Sequence, residues 1–269
     1  MRVLERHVLW RSATGSHSVR LCVVTPKGLR TPVREVRESI LSDMRILVVA
    51  ATNAEISPLS AQLRGLGERG PRLKAYAHPR HEVEVLITGV GMVATGVWCS
   101  RALATAQYDM ALNLGVCGSF VPALAPGSIV HVTADRLSEL GAEDGDAFLS
   151  VQELALLGDD EFPFRSGLLV NSSPPASATL ATLPAATGIT VSTVHGNACS
   201  IAATVARFRP DVESMEGASF MYACLVHGVP FAQVRAVSNM VERRNRSSWR
   251  LGEAIHALAD ASTGILGSV

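Results

Sequence analysis

Glu213-Ser214-Met215-Glu216-Gly217-Ala218, followed by Arg235-Ala236-Val237-Ser238-Asn239, decides how this chain folds. Between the two lies an apolar stretch, Ser219 to Val226, that reads as a helix. Gly228 reads as its C-cap and Phe231 to Val237 as the next strand. An acid that closes one strand is thereby brought near an amide that closes a neighbouring strand. In open α/β sheets ligands bind at the carboxyl ends of strands. A carboxylate there suits a sugar diol, and an amide suits a heterocyclic base.

The same alternation extends toward the N-terminus. Arg45 to Ala51, directly after Met44, has the pattern of a buried parallel strand. Val83 to Thr88 reads as a strand, and Gly89-Val90-Gly91-Met92 turns from it into a helix running to about Gln107. Met110 to Leu114 is another strand, followed by Gly115-Val116-Cys117-Gly118, which reads as a glycine loop. Ser128 to Val132, Gly167 to Val170 and Ile189 to Val194 complete the strands, the last ending at His195-Gly196-Asn197. A helix is expected over Ala198 to Arg207, and one long helix from Ser247 to about Leu266. The acidic segment Leu137 to Pro163 is expected to be irregular. The pattern predicts an α/β three-layer sandwich with a mostly parallel or mixed central sheet.

Composition narrows the partners. The 269 residues are 48 % apolar, enough for a sizeable core, and 24 basic residues balance 24 acids. That balance argues against nucleic acid or an anionic membrane surface as the main partner. No apolar run approaches the ~20 residues that cross a bilayer. Cys22, Cys99, Cys117, Cys199 and Cys224 are scattered without CxxC spacing, as reduced thiols of a cytoplasmic protein would be. Residues 1–43 stand apart, with eight basic residues against four acids and no clear period. They are expected to be a disordered extension or a start placed too early, with a transit peptide as the alternative, and residues 44–269 to be the folded domain.

Several motifs carry competing readings. Thr88-Gly89-Val90-Gly91 resembles part of a dinucleotide fingerprint but lacks the third glycine and the later acid. Glu55, just after the first strand, is either a helix N-terminal acid or a general base aimed at a water. His78 and His81 have a ligand-pair spacing without further ligands nearby, so no metal is expected. Cys117 is read as a packing thiol rather than a nucleophile, because no base accompanies it. Arg243, Arg244 and Arg246 follow the last site strand, where a guanidinium fork suits a substrate carboxylate.

Taken together, Glu55, Gly89 to Val93, Asn113 to Gly118, Met215 to Ala218 and Arg235 to Asn239 resemble the nucleoside phosphorylase and nucleosidase superfamily. The resemblance covers Met44 to about Gly267, and the segments 212–218 and 238–246 look most like its futalosine hydrolases. Those enzymes release hypoxanthine from futalosine in the alternative menaquinone pathway, and the resemblance implies no cofactor and at least a dimer. It implies that Glu55 activates water, and that Glu216 holds the ribose hydroxyls with Met215 packed on the sugar. The base would lie between Val116, Cys117 and Gly118 on one side and Gly196 and Asn197 on the other. Arg244 or Arg246 would clamp the benzoate. Asn239 stands where adenine-specific relatives carry an aspartate, and an amide suits a 6-oxopurine. The turn after the first strand holds Thr52, Asn53 and Glu55 without arginine, which favours water over phosphate as nucleophile.

Overall fold

The computed structural model describes residues 44–145 and 147–269. The expectations for residues 1–43, and for Cys22 within them, lie outside the described residues.

In chain order the elements are β1 (Met44–Ala50), α1 (Asn53–Ser60), β2 (Arg64–Gly70), β3 (Leu73–Ala77), β4 (His81–Ile87), α2 (Met92–Thr105), β5 (Met110–Ser119) and β6 (Ile129–Asp135). There follow β7 (Gly141–Asp144), β8 (Ala147–Ser150), β9 (Leu169–Val170), α3 (Ala178–Thr182), β10 (Ala185–Thr190), α4 (Ala198–Phe208) and β11 (Val212–Ser214). The chain closes with α5 (Gly217–His227), β12 (Phe231–Met240), a 3-10 turn at Arg246–Ser248, and α6 (Leu251–Ser268).

The main sheet runs β11-β10-β6-β12-β5-β1-β4-β3-β2, and β9 pairs with β6. β1 is parallel to β4 and β5, and β12 is parallel to β5 but antiparallel to β6. The sheet is therefore mixed. β11 pairs with β10 on one side and with β5 on the other, so five strands close into a ring. That closure brings the ends of β5, β11 and β12 side by side.

The period-2 alternation of the strands separates two cores. Ile46, Val48 and Ala50 point to one face, where Ile56 and Leu59 of α1 and Leu258, Ile265 and Leu266 of α6 cover them. Leu47 and Val49 point to the other, under Cys99 and Leu103 of α2 and Phe220, Met221 and Cys224 of α5. These are the three layers. Among the described residues no helix is long and apolar enough to cross a membrane.

Four local readings change. Gly115-Val116-Cys117-Gly118 is not a loop but the continuation of β5, because β12 pairs with it as far as Ser119 and β11 pairs with Gly118 and Ser119. Neighbours on both sides supply the ladder partners that a loop would lack. β10 stops at Thr190 rather than Val194, since β11 offers it partners only up to Ser214. The last helix starts at Leu251, after the 3-10 turn, where the Asn245 side chain accepts from the Ser247 N–H at 3.2 Å. Among the described residues of the acidic segment, β7 pairs with β8, Leu137 bridges to Thr190, and the rest are turns, bends and irregular backbone. Gly228 is the left-handed C-cap of α5, with φ 65°, as read from sequence.

Candidate active site

Thr52 precedes α1, and Glu55 lies one turn in. Glu55 Oε2 accepts from both the Thr52 N–H and the Thr52 hydroxyl, each at 2.9 Å. This reciprocal box satisfies a donor at the helix start, so the capping reading of Glu55 is correct as far as it goes. Its other oxygen, Oε1, accepts from the Val116 N–H on β5 at 3.2 Å. A capping acid has no need to reach across to a strand. The carboxylate is buried and faces a cavity.

Glu216 sits at the N-terminus of α5, where the helix dipole favours a negative charge. Its Oε1 accepts from the Gly91 N–H at 3.0 Å, tying α5 to the turn after β4. Its Oε2 lies 4.0 Å from Nη1 of Arg235. Burial raises the Glu216 carboxyl above its ordinary value, with the Arg235 charge and the Gly91 hydrogen bond opposing the rise.

Arg235, 1 % exposed, is the charged residue that holds this end of the site together. It stands opposite Gly115 in the β12–β5 register and donates from Nη2 to the Asn113 side-chain oxygen. A Cβ on Gly115 would lie 2.1 Å from Arg235 Nη1 and 3.0 Å from Glu55 Oε1. Glycine is required there because the guanidinium passes over the strand at that point. Glu55 and Glu216 thus set two carboxyl groups beside the single guanidinium of Arg235. Sequence reading quoted Arg235 only as part of a motif, because an arginine in an apolar strand gives no sign of which charges it will meet.

The other end is built on Gly118. It pairs with Glu213 of β11 on one side and Asn239 of β12 on the other. Asn239 Nδ2 donates to the Met240 carbonyl at 2.9 Å, and Oδ1 lies 2.8 Å from the Ser238 hydroxyl. One amide N–H and one lone pair remain. Glu213 holds His195 twice: Oε1 accepts from the backbone N–H at 3.1 Å and Oε2 meets Nδ1 at 2.6 Å. The hydrogen bond to Glu213 keeps the His195 imidazole above its ordinary value. Burial pushes the Cys117 thiol up to about 12, which disfavours the thiolate that a nucleophile needs.

Both ends open on one cavity of about 360 Å³. Glu55, Val116, Cys117, Gly118, Met215, Glu216, Asn239 and Arg244 line it. Asn197 and Arg246 do not. Asn197 instead caps α4, its Oδ1 accepting from the Cys199 N–H at 2.9 Å, and Arg246 is exposed on the 3-10 turn. Gly196 also lies outside the lining, behind Arg244, whose Cβ would be 3.5 Å from a Cβ at 196. The resemblance implied Gly196 and Asn197 beside the base and Arg244 or Arg246 at the benzoate; of these, Arg244 lines the cavity. The cavity adds Glu213, His195 and Trp249, with Arg244 stacked 5.4 Å over the Trp249 ring. His78 and His81 stack where β4 begins, and His81 Nε2 meets the Leu266 carbonyl at 3.0 Å.

Below the site, Asp135 accepts from Gln233 Nε2 at 2.9 Å, from the Thr190 hydroxyl at 3.0 Å and from the Arg136 N–H at 2.8 Å. Thr190 Oγ1 in turn accepts from the Ala218 N–H at 2.7 Å, so this chain of bonds seats the start of α5 and with it Glu216. Burial pushes the Asp135 carboxyl up to about 6 from 3.8. The folded protein therefore holds this proton more tightly than the unfolded chain, and the group's contribution to stability falls as pH rises through that window. The Asp135→Asn variant removes the titration. Its melting temperature relative to the unmodified protein should climb from about pH 4 to about pH 7. A difference that stays flat with pH contradicts this reading of Asp135.

A family model described as the phosphorylase superfamily matches residues 45–267. A futalosine hydrolase of Streptomyces coelicolor is 33 % identical over 81 % of this chain and 93 % of its own length. The chain belongs to the phosphorylase superfamily and, within it, to the futalosine hydrolases. A 5'-methylthioadenosine/S-adenosylhomocysteine nucleosidase of a Shewanella species is a more distant relative, 26 % identical over 73 % of this chain and 86 % of its own. Among solved structures, a futalosine hydrolase of Helicobacter pylori superposes with a TM-score of 0.69 over 83 % of this chain and 97 % of its own. At 16 % identity that likeness speaks for the fold alone.

Proposed function

We propose that this protein cleaves futalosine with water, releasing hypoxanthine and dehypoxanthine futalosine. The observation that carries the reading is a single cavity with Glu55 and Glu216 at one end and the half-free amide of Asn239, beside Glu213, at the other. Its acidic end repels phosphate and accepts a sugar and a water.

Glu216 takes the ribose diol as a charge-assisted acceptor, with Met215 against the sugar. As the glycosidic bond lengthens, positive charge grows on the sugar beside Glu216 and Glu55 and is stabilised by both. Glu55, fixed by Thr52 and Val116, removes the proton from the attacking water. Asn239 offers its free N–H to the 6-oxo oxygen and its free lone pair to N7–H, once N7 has taken a proton from solvent as the base leaves. An aspartate in its place would set acceptor against acceptor at the 6-oxo group, a mispairing that costs about 1–3 kcal/mol. Arg244, stacked on Trp249, takes the benzoate carboxylate and Trp249 the ring. Arg246 has no part in this.

The same reading places the protein in the cytoplasm, in menaquinone biosynthesis. It also makes the protein a homo-oligomer. Val90, Val93 and Val97 around α2 and Tyr222 and Val226 of α5 are exposed, and Val90 also lines the cavity. A second copy seated there would cover the cavity mouth, and a solution mass of one chain would contradict it.

Similarity to the methylthioadenosine nucleosidases supports a second reading, adenine release. Offering the purified protein futalosine, methylthioadenosine and inosine separates the two. Hypoxanthine from futalosine is expected, whereas adenine from methylthioadenosine as the main product would overturn the role given to Asn239.

A further inference from the structure

We propose that Glu213, held in place by His195, accepts the N1–H of a 6-oxopurine and so shares with Asn239 the selection of hypoxanthine over adenine. This rests on the reading that the Gly118 end of the cavity takes the base.

The sheet register is the starting point. Glu213 and Asn239 sit on different strands yet pair with the same residue, Gly118. A Cβ at that glycine would lie 2.8 Å from Val241 Cγ2 and 3.4 Å from both Glu213 Cγ and Asn239 Nδ2, so the three side chains crowd onto this one residue. Glu213 and Asn239 are thereby held close together, and both line the cavity where Gly118 lines it.

Glu213 is 4 % exposed and lines the cavity. A buried carboxylate is costly unless it is paired and hydrogen-bonded. His195 does both, through its backbone N–H and through Nδ1. The ring is fixed in turn by Thr204 of α4, whose Oγ1 lies 2.9 Å from Nε2, and by the edge of Phe120. These bonds occupy one lone pair on each Glu213 oxygen. A carboxylate has about four such sites, so acceptor capacity remains.

Hypoxanthine carries a proton on N1, whereas adenine carries a lone pair there. A carboxylate accepts from the first and repels the second. Asn239 addresses O6 and N7, and Glu213 would address the adjoining atom, N1. If the only task of Glu213 were to pin the segment around His195, the site would be indifferent to N1. His195 is a positioning residue, acting through Glu213.

Free bases test this without the sugar or the tail. Calorimetric titration of the unmodified protein should show hypoxanthine binding at least roughly tenfold more tightly than either 1-methylhypoxanthine or adenine. In Glu213→Gln the preference over 1-methylhypoxanthine should collapse, and adenine should gain, because the amide N–H can donate to its N1. Three results overturn the proposal: equal affinity of the unmodified protein for hypoxanthine and 1-methylhypoxanthine, a Glu213→Gln variant that weakens all three bases by one common factor, or hypoxanthine that does not bind. The first comparison needs no variant to fold. A protein that shows this selectivity but leaves futalosine intact refutes the proposed hydrolysis and leaves the role of Glu213 standing.

Discussion

Glu55→Gln should lower the rate of hypoxanthine release from futalosine by about 10²–10⁴, the range for loss of a positioned acid–base group. Glutamine keeps the volume and can keep an oxygen toward Thr52, so the start of α1 should survive. What it cannot do is take a proton from water. Substrate binding should change far less than turnover, since the ribose diol is assigned to Glu216 and the base to Asn239. The effect should therefore fall on kcat rather than KM. A variant that turns over within about tenfold of the unmodified protein would remove Glu55 from the role of base and leave it a helix cap.

Arg235→Met should destabilise the protein by about 3–5 kcal/mol, the cost of removing one partner from a buried ionic cluster. The side chain is 1 % exposed, donates to Asn113 and lies 4.0 Å from Glu216. Methionine has similar length but leaves Asn113 without its donor and Glu216 facing Glu55 without a cation. Burial already raises the Glu216 carboxyl, and Arg235 is the main group opposing that rise. Without it, Glu216 should protonate at higher pH, and the acid limb of the kcat/KM profile should move upward. Chemical denaturation and a pH profile read the two effects separately. Unchanged stability together with an unmoved acid limb would show that the guanidinium is not what holds these carboxylates.

The layers and the order of most elements were legible because the central strands are continuous apolar runs and glycines mark the start of α2 and the end of α5. Gly228 is the clearest example, a C-cap read from sequence and found with φ 65°. Glu55, Glu216 and Asn239 were legible as residues because each ends or follows a strand. What the sequence hid depends on contacts distant in the chain. Gly115 to Gly118 reads locally as a loop, and only pairing with β11 and β12 makes it a strand. The β2–β3 hairpin escaped notice because Arg64 to Gly70 is glycine-rich and exposed, without alternation. Glu213 was read as part of a motif, yet its register opposite Gly118 is set by a strand nearly a hundred residues earlier in the chain. Gly196, Asn197 and Arg246 lie within two positions of cavity residues in sequence without lining the cavity themselves.

The most direct measurement is hypoxanthine release from futalosine by the purified protein in phosphate-free buffer, repeated with phosphate added. The account predicts release at the same rate in both, with the sugar product unphosphorylated. Release that requires phosphate, or a phosphorylated sugar, would contradict hydrolysis and leave Glu55 without a water to activate.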